Sequence, residues 1–217
     1  MIPTGLFGGS FNPAHGGHRA ISVNAIAALG LEELWWLVSP GNPLKPVQGM
    51  APLPARLASA QRMARGAPIR ATAIEAELGT RYTVDTLKKL VRRHPNRQFI
   101  WIMGADNLAQ LPHWRDWRGI ARLMPIAVIA RPGYNGRTHA VQAMGWLRRF
   151  VRPADQKLHW TDWRPPALVF LRFSPDVRSA TAIRQANPRW FEWYQGRALR
   201  DPLTHSRLAW NERNETA

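Results

Sequence analysis

Between a short apolar segment and a helical pattern stands the stretch Gly8-Gly9-Ser10-Phe11-Asn12-Pro13-Ala14-His15-Gly16-Gly17-His18. The apolar segment, Ile2–Phe7, predicts a buried strand, and Gly17–Leu29 predicts a helix that Gly30 ends. Adjacent glycines let backbone N–H groups approach a ligand closely, since a Cβ would be in the way. The helix start adds free N–H groups and a partial positive charge, so the stretch predicts an anion-binding strand–turn–helix unit.

Two histidines within this stretch, His15 and His18, are three residues apart, so their rings project from the same side of a helical turn. Imidazoles at a helix start, beside glycines and without carboxylates, suit phosphate oxygens better than a metal ion. A zinc site would need a third ligand, and the neighbouring sequence offers none. A lone histidine would more often be packed or solvent-facing, but this pair in its glycine context indicates a phosphate site.

Beyond the first helix, apolar segments alternate with helical patterns. Further strands are predicted at Leu34–Val38, Ile69–Ile74, Gln98–Met103, Pro125–Ala130 and Ala167–Arg172. Further helices are predicted at Pro54–Arg65, Thr83–Arg93 and Ser179–Gln185. Residues 134–166 are rich in Arg and Trp and have only weak periodicity. The alternation predicts an α/β fold with a parallel sheet flanked by helices, in which ligands bind beyond the carboxyl ends of the strands.

Composition limits the classes of protein that fit this chain. Its 217 residues are 45% hydrophobic, which is ordinary for one globular domain and too high for a disordered chain. No apolar run approaches the roughly 20 residues that cross a bilayer. The N-terminus does not have the pattern of a signal peptide, and the chain contains no cysteine. A soluble cytoplasmic protein is therefore expected.

The formal charge of +16 comes from 30 basic and 14 acidic residues. Splitting the sequence after Ala130 leaves 15 basic and 7 acidic residues on each side, so the excess is spread evenly. Such a charge attracts polyanions, whether ATP, nucleic acid or a membrane surface, but an arginine-rich solvated surface is the simpler interpretation. Charge alone therefore does not decide the function.

A second motif lies near the other end of the chain, at Arg178-Ser179-Ala180-Thr181-Ala182-Ile183-Arg184. Taken by itself, Ser179 is a helix N-cap and the segment is an ordinary capped helix. Hydroxyl and N–H groups at a helix start, with an arginine one turn on, also form a phosphate clamp. In a parallel α/β fold both motifs would converge at one edge of the sheet.

The first motif resembles the (H/T)xGH signature of the nucleotidyltransferase superfamily, in the GGSFNPxHxGH form of bacterial nicotinate-nucleotide adenylyltransferases, which can carry Asp where Asn12 stands. The resemblance implies a Rossmann-like fold, ATP and Mg²⁺ as cosubstrates, and His15 and His18 on the ATP phosphates. It also implies ATP contacts from Gly8, Gly9, Ser10 and Phe11. The family carries ISSTxIR at the second motif, where Ser179, Thr181 and Arg184 match, while Arg178 and Ala180 depart from the pattern.

Weaker matches extend the resemblance to the remaining site residues. Tyr82 and Thr83 correspond to the family's SYTxDTL segment beside the pyridine ring, and Trp114 to an aromatic residue stacked on that ring. Gly104 and Asp106 correspond to a GxD segment at the nucleotide sugar, whereas Lys45 and Arg131 correspond to basic residues that bind ATP. Without the resemblance, Thr83 and Asp106 would be helix or turn caps, and Trp114 a core residue.

The resemblance implies transfer of AMP from ATP to nicotinic acid mononucleotide (NaMN), a step of NAD biosynthesis that makes pyrophosphate and nicotinic acid adenine dinucleotide. It covers residues 1–187 as one nucleotidyltransferase domain, and the tail, 188–217, is expected to pack on this domain or extend from it. One alternative is a sister adenylyl- or cytidylyltransferase that uses another small phosphate. A remote alternative is a basic nucleic-acid-binding protein, although no reader motif supports specific binding. No membrane partner is expected, and the sequence leaves the oligomeric state open.

Overall fold

A computed structural model describes residues 1–41, 49–130, 142–174, 178–196 and 198–209. Its centre is a six-stranded parallel sheet in the order β3-β2-β1-β4-β5-β6. The strands are β1 (Ile2–Gly9), β2 (Glu33–Val38), β3 (Ile69–Thr72), β4 (Arg97–Gly104), β5 (Ile126–Ala130) and β6 (Leu168–Arg172). The α/β fold predicted from the sequence is confirmed.

Helices connect the strands and cover the sheet. The α-helices are α1 (Gly16–Leu29), α2 (Leu53–Ala64), α3 (Ile74–Leu78), α4 (Thr83–Arg93), α5 (Ala105–Gln110), α6 (Trp117–Leu123), α7 (Met144–Leu147) and α8 (Ala180–Ala186). The 3₁₀ segments are Leu111–His113, Arg148–Phe150, Ala154–Asp162 and Trp190–Tyr194. A two-stranded antiparallel ribbon, β7 (Leu199–Arg200) and β8 (Arg207–Leu208), lies apart from the main sheet.

Strand β2 shows why this sheet needs helices on both faces. All six of its residues are buried, and neighbouring side chains point to opposite faces. Trp35 packs into the core that contains α4 residues such as Leu87, whereas Trp36 packs into the core that contains α1 residues such as Leu29. Both indole rings are fully buried. One continuous apolar run therefore supplies both hydrophobic layers.

The strand order reverses between β1 and β4, which are direct neighbours in the sheet. Phe7 pairs with Ile102, so Gly8 and Gly9 at the end of β1 and Gly104 at the end of β4 reach the same edge. In open parallel sheets this reversal leaves a crevice at the carboxyl ends of the strands, where ligands bind. The fold thus places both segments at a natural binding position.

The third strand is shorter than predicted, because it ends at Thr72 rather than Ile74. The buried carboxylate of Asp201 accepts hydrogen bonds from the Ala73 N–H (2.7 Å) and the Thr72 hydroxyl. These bonds hold the point at which the chain leaves the sheet and begins α3. No local pattern in residues 69–78 could have revealed a partner so distant in sequence.

Part of the C-terminal tail packs against the domain, as Asp201 does at β3 and Trp190 does against Ala51 and Ala55. The division at residue 187 stays a prediction, since packing does not decide whether the domain is independent. None of the helices in the described parts of the chain is long and apolar enough to span a membrane.

Candidate active site

The first turn of α1 is closed by its own histidines. His15 is the N-cap residue, and its Nδ1 accepts a hydrogen bond from the Gly17 N–H at 3.1 Å. The Nδ1 of His18 accepts from the His15 N–H at 3.2 Å, so the two side chains form a capping box. Their ring centroids are 3.9 Å apart. The sequence prediction that both rings share one side of the helix start is confirmed.

These hydrogen bonds decide what the His18 ring can offer a ligand. Because Nδ1 is an acceptor, the neutral ring carries its hydrogen on Nε2, which can donate to an anion. Burial, together with the neighbouring His15, lowers the pKa of His18 to about 3. At neutral pH the free protein therefore presents His18 as a neutral N–H donor, not as a cation.

The glycines of the first motif make room for aromatic rings. A Cβ on Gly8 would lie 2.6 Å from the ring of Trp101, and one on Gly9 would lie 3.2 Å from the ring of Phe11. Phe11 itself has a φ of 47° in the left-handed region, and its buried ring stacks on Trp36. In the sequence, the two glycines were explained only by the close approach of a ligand. The structure adds a second reason, because a Cβ at either position would crowd a neighbouring aromatic ring.

The ring of Phe11 acts as a support beneath the histidines. Its centroid is 4.9 Å from that of His18, and the residue is only 1% exposed. The Phe11 side chain therefore packs against His18. A direct contact between Phe11 and ATP stays a prediction, and the Phe11 backbone would have to make it.

The second motif meets the first, as the fold predicts. Ser179 is the N-cap of α8, and its Oγ accepts from the Ala182 N–H at 3.1 Å. Arg184 donates from Nη1 to the Asn12 carbonyl at 2.7 Å and from Nη2 to the Thr181 hydroxyl at 3.2 Å. One guanidinium thus joins two motifs that are 172 positions apart in the chain.

Arg178, which departs from the family pattern, lies against the start of α1. A Cβ on Gly16 would be 2.0 Å from its Nη1, so a larger residue at position 16 would force this guanidinium to move. The side chain therefore adds positive charge beside the two histidines. In the sequence, Arg178 stands out only as a departure from the family's ISSTxIR pattern. An arginine beside a predicted phosphate-binding motif could nevertheless have indicated a role at the site.

A cavity of about 140 Å³ opens beside the glycine turn. It brings together six predicted site residues, namely Gly8, Gly9, Ser10, Tyr82, Thr83 and Trp114. Tyr82 is the N-cap of α4 and Thr83 its first helical residue, so the alternative interpretation of Thr83 as the cap is wrong. The guanidinium of Arg115 lies 4.8 Å from the centre of the Tyr82 ring.

Several residues that line the cavity were not predicted from the sequence, and Trp101 and Glu75 are two of them. Trp101 is buried, packs edge-on against Trp114 and has no hydrogen-bond partner for its indole N–H. Glu75, from α3, also lines the cavity, and burial raises its pKa to about 7 despite hydrogen bonds from Ser39 and Thr86 and the charge of Arg56. The sequence carried no signal for either residue, because Trp101 lies within a predicted strand and Glu75 has the pattern of an ordinary surface carboxylate.

Ten predicted site residues are not among the described residues that line this cavity, and six of them belong to the two motifs described above, namely Phe11, His15, His18, Ser179, Thr181 and Arg184. Gly104 is the N-cap of α5, and Asp106 is exposed in the first turn of that helix, at the same edge of the sheet. The fold therefore brings Asp106 to the edge of the crevice, although Asp106 is not among the cavity-lining residues. Lys45 and Arg131 fall in segments outside the described residues.

Comparisons with known proteins identify the family of this chain. Residues 6–186 match the model of the family described as cytidylyltransferase-like. A protein of Erythrobacter litoralis named "Probable nicotinate-nucleotide adenylyltransferase" is 58% identical over 100% of this chain and 98% of its own length. A Parvibaculum lavamentivorans protein of the same name is 50% identical over 85% of this chain and 92% of its own.

A solved structure supports the fold. The Plasmodium falciparum nicotinic acid mononucleotide adenylyltransferase complexed with NaAD gives a TM-score of 0.61 and covers 85% of this chain and 83% of its own. Its identity to this chain is 15%, so the likeness concerns the fold. Taken with the family match and the full-length relatives, the chain belongs to the nicotinate-nucleotide adenylyltransferases of the cytidylyltransferase-like family.

Proposed function

We propose that this chain transfers AMP from ATP to NaMN, giving nicotinic acid adenine dinucleotide and pyrophosphate, through the residues of the two joined motifs. The observation that carries the proposal is the hydrogen bond from Arg184 to the Asn12 carbonyl. This bond joins the two motifs that we expect to bind phosphate. The names of the full-length relatives support the choice of substrates. So do two solved structures of the Plasmodium falciparum nicotinic acid mononucleotide adenylyltransferase, one complexed with APC and the other with NaAD. Because the reaction uses ATP, the proposal includes a cytoplasmic location.

Catalysis in this proposal is positioning and charge stabilisation. The NaMN phosphate oxygen attacks the α-phosphorus of ATP in line, a new P–O bond forms, and the bond to the leaving pyrophosphate breaks. The Nε2–H of His18 donates to the charge that develops on the α-phosphate. His15 and Arg184 bind the β and γ oxygens, as do the Ser179 and Thr181 segment and Lys45.

The remaining assignments concern the nucleoside of ATP and the metal. Gly104 and Asp106 would hold the ATP sugar and Arg131 its phosphates, as the family implies. Mg²⁺ would enter mainly on ATP and neutralise phosphate charge there, because proteins usually bind this ion through substrate phosphates rather than in a cage of their own side chains. The protein's own part is therefore donation to phosphate oxygens.

The start of α4 provides a basis for substrate choice. Tyr82 and Thr83, at the start of α4, line the same cavity as Trp114. The first N–H groups of a helix have no partner within it, and its positive end favours a carboxylate. The carboxamide of nicotinamide mononucleotide would turn an NH₂ donor toward those N–H groups and leave donors unpaired. Unpaired buried donors cost about 1–3 kcal/mol, so we expect a preference for the acid of at least about tenfold to a hundredfold.

Pyrophosphate release from ATP with NaMN and with nicotinamide mononucleotide, measured side by side, tests both parts of the proposal. A higher kcat/KM for the acid is expected, and Trp114→Ala should weaken both substrates without erasing their ratio, because stacking serves both rings. Equal values for the two would refute the pocket assignment alone. Turnover only with another small phosphate would refute the substrate.

A further inference from the structure

A buried arginine of α2, Arg56, donates a hydrogen bond to the loop between β1 and α1. Arg56 is 1% exposed, and its guanidinium donates to four backbone carbonyls of the described residues. Nη1 donates to Ser10 at 2.9 Å and to Ser39 at 2.6 Å, Nε to Ala51 at 2.8 Å, and Nη2 to Pro40 at 3.2 Å. One planar group thus fixes the phosphate-binding turn against the loop after β2 and the start of α2.

The surroundings of Arg56 indicate that shape, more than pairing of charge, requires an arginine. Within the described residues, no carboxylate lies within ion-pair distance of its guanidinium. Burial lowers the pKa of Arg56 to about 10, so the group stays charged at neutral pH. A lysine would bring the same charge without the planar fork that reaches carbonyls of three segments.

A serine one turn further along α2 holds the same loop at a second point. The buried hydroxyl of Ser59 donates to the Arg56 carbonyl at 2.8 Å and accepts from the Ala14 N–H at 3.2 Å. Ala14 directly precedes the capping histidine His15. Arg56 and Ser59 therefore fix the loop on both sides of Asn12, the residue that Arg184 contacts.

We propose that Arg56 and Ser59 are positioning residues for adenylyl transfer, which set the loop backbone and through it the rings of His15 and His18. The inference rests on the proposed function, because adenylyl transfer is the reaction for which the loop is positioned. Neither side chain needs to touch a substrate. Binding of ATP uses many charged contacts, whereas the reaction needs aligned donors. A small displacement of the loop should therefore lower kcat far more than it weakens ground-state binding.

Ser59→Ala is the first test, because it removes the hydroxyl with little change in volume. We expect kcat to fall about tenfold, while the dissociation constant for an ATP analogue changes by less than about threefold. Thr4→Val is the matched control, since the buried Thr4 hydroxyl accepts from Arg97 at 2.9 Å near the other end of β1. The control should lose comparable thermal stability and keep its kcat.

Arg56→Lys is the second test, with Arg62→Lys on the exposed part of the same helix as its control. We expect kcat to fall at least about tenfold in the first variant and to stay unchanged in the second. If Arg56→Lys does not fold, Ser59→Ala decides the matter. A folded Ser59→Ala enzyme with the kcat of Thr4→Val would overturn the proposal.

Nuclear magnetic resonance of the histidine side chains separates this inference from the proposed function, because it needs no turnover. In the free protein, Ser59→Ala should shift the ring signals of His15 and His18, and Thr4→Val should leave them in place. Shifted signals with a wild-type protein that releases no pyrophosphate would refute the proposed reaction, while showing that Ser59 sets the histidine rings. Unshifted signals in an active enzyme would refute the positioning role alone.

Discussion

At the scale of single residues, His18 combines two properties that suit a donor to a transition state. Its Nδ1 is occupied by the His15 N–H, and its ring packs against Phe11 and His15. A ring held in this way needs little reorganisation when charge develops on a phosphate. Its neutral state in the free protein also avoids the loss of a hydrated charge when ATP binds.

We therefore predict that His18→Ala lowers kcat by about 100-fold or more, while KM for ATP changes far less, as expected for an interaction made chiefly in the transition state. Steady-state kinetics of pyrophosphate release at saturating NaMN would measure both. Exposed His159, which is outside the site, gives a control in His159→Ala. A near-normal kcat in His18→Ala would remove this residue from the mechanism.

The lowered pKa of His18 also predicts how stability depends on pH. Below its ordinary pKa of 6.5, the unfolded chain binds a proton that the folded protein excludes down to about pH 3. The His18 contribution to the free energy of unfolding is therefore lost progressively as pH falls through this window. The fall in Tm between pH 7 and pH 5 should be smaller in ligand-free His18→Ala than in the wild type. Equal slopes would show that His18 is not held neutral.

At the scale of elements, the tail contributes one buried carboxylate to the main sheet. The two oxygens of Asp201 accept hydrogen bonds from Thr72, Ala73, Leu203 and Thr204. Asp201→Asn keeps the shape but turns an NH₂ group toward one of these N–H donors. An unpaired buried donor costs about 1–3 kcal/mol, which for a chain of this size lowers Tm by roughly 2–12 °C.

Thermal unfolding followed by circular dichroism would measure that loss. Asp155→Asn is the matched control, because Asp155 is exposed in a 3₁₀ segment, and its Tm should stay within about 1 °C of the wild type. An unchanged Tm in Asp201→Asn would mean that the tail does not stabilise β3 and α3.

The elements also show which parts of the fold the sequence can predict. Helix α4 was predicted with its observed bounds, because Val84, Leu87 and Leu90 mark one buried face and His94-Pro95 ends it. Helix α3 was not predicted, since five residues carry no period and its start depends on distant Asp201. Local patterns thus predict elements with their own signals, and tertiary contacts decide the others.

The same distinction holds for the site. The glycine turn, its histidines and the second motif were predicted, because each is continuous in sequence. Three other residues, Trp101, Glu75 and Arg56, were not predicted. A tryptophan in a strand and a charged residue in a helix look ordinary in the sequence, and only the fold shows that they are buried. Sequence therefore reveals the groups expected to touch phosphates more readily than the groups that hold them in place.

At the scale of the whole molecule, the charge of +16 is a surface property. Several arginines lie over aromatic rings, for example Arg118 over Trp117 at 5.1 Å and Arg149 over Phe150 at 5.3 Å. Their guanidinium groups cover Trp146 as well, so part of the excess charge packs on the outer faces of tryptophans. The substrates, in contrast, are small polyanions, which such a field attracts without a specific contact.

This arrangement predicts a particular response to salt. Screening shortens the range of surface charge to about 8 Å at 0.15 M ionic strength, so the encounter with ATP should slow as salt rises. The bound substrates lie within the site, where screening is weaker. We therefore expect kcat/KM for ATP to fall smoothly between about 0.05 and 0.5 M potassium chloride while kcat stays nearly constant. A titration of steady-state rates measures both, and a parallel shift assay with duplex DNA at about 0.15 M salt gives the contrast. Tight DNA binding under those conditions, or a kcat that falls together with kcat/KM, would contradict a purely electrostatic role for the charge.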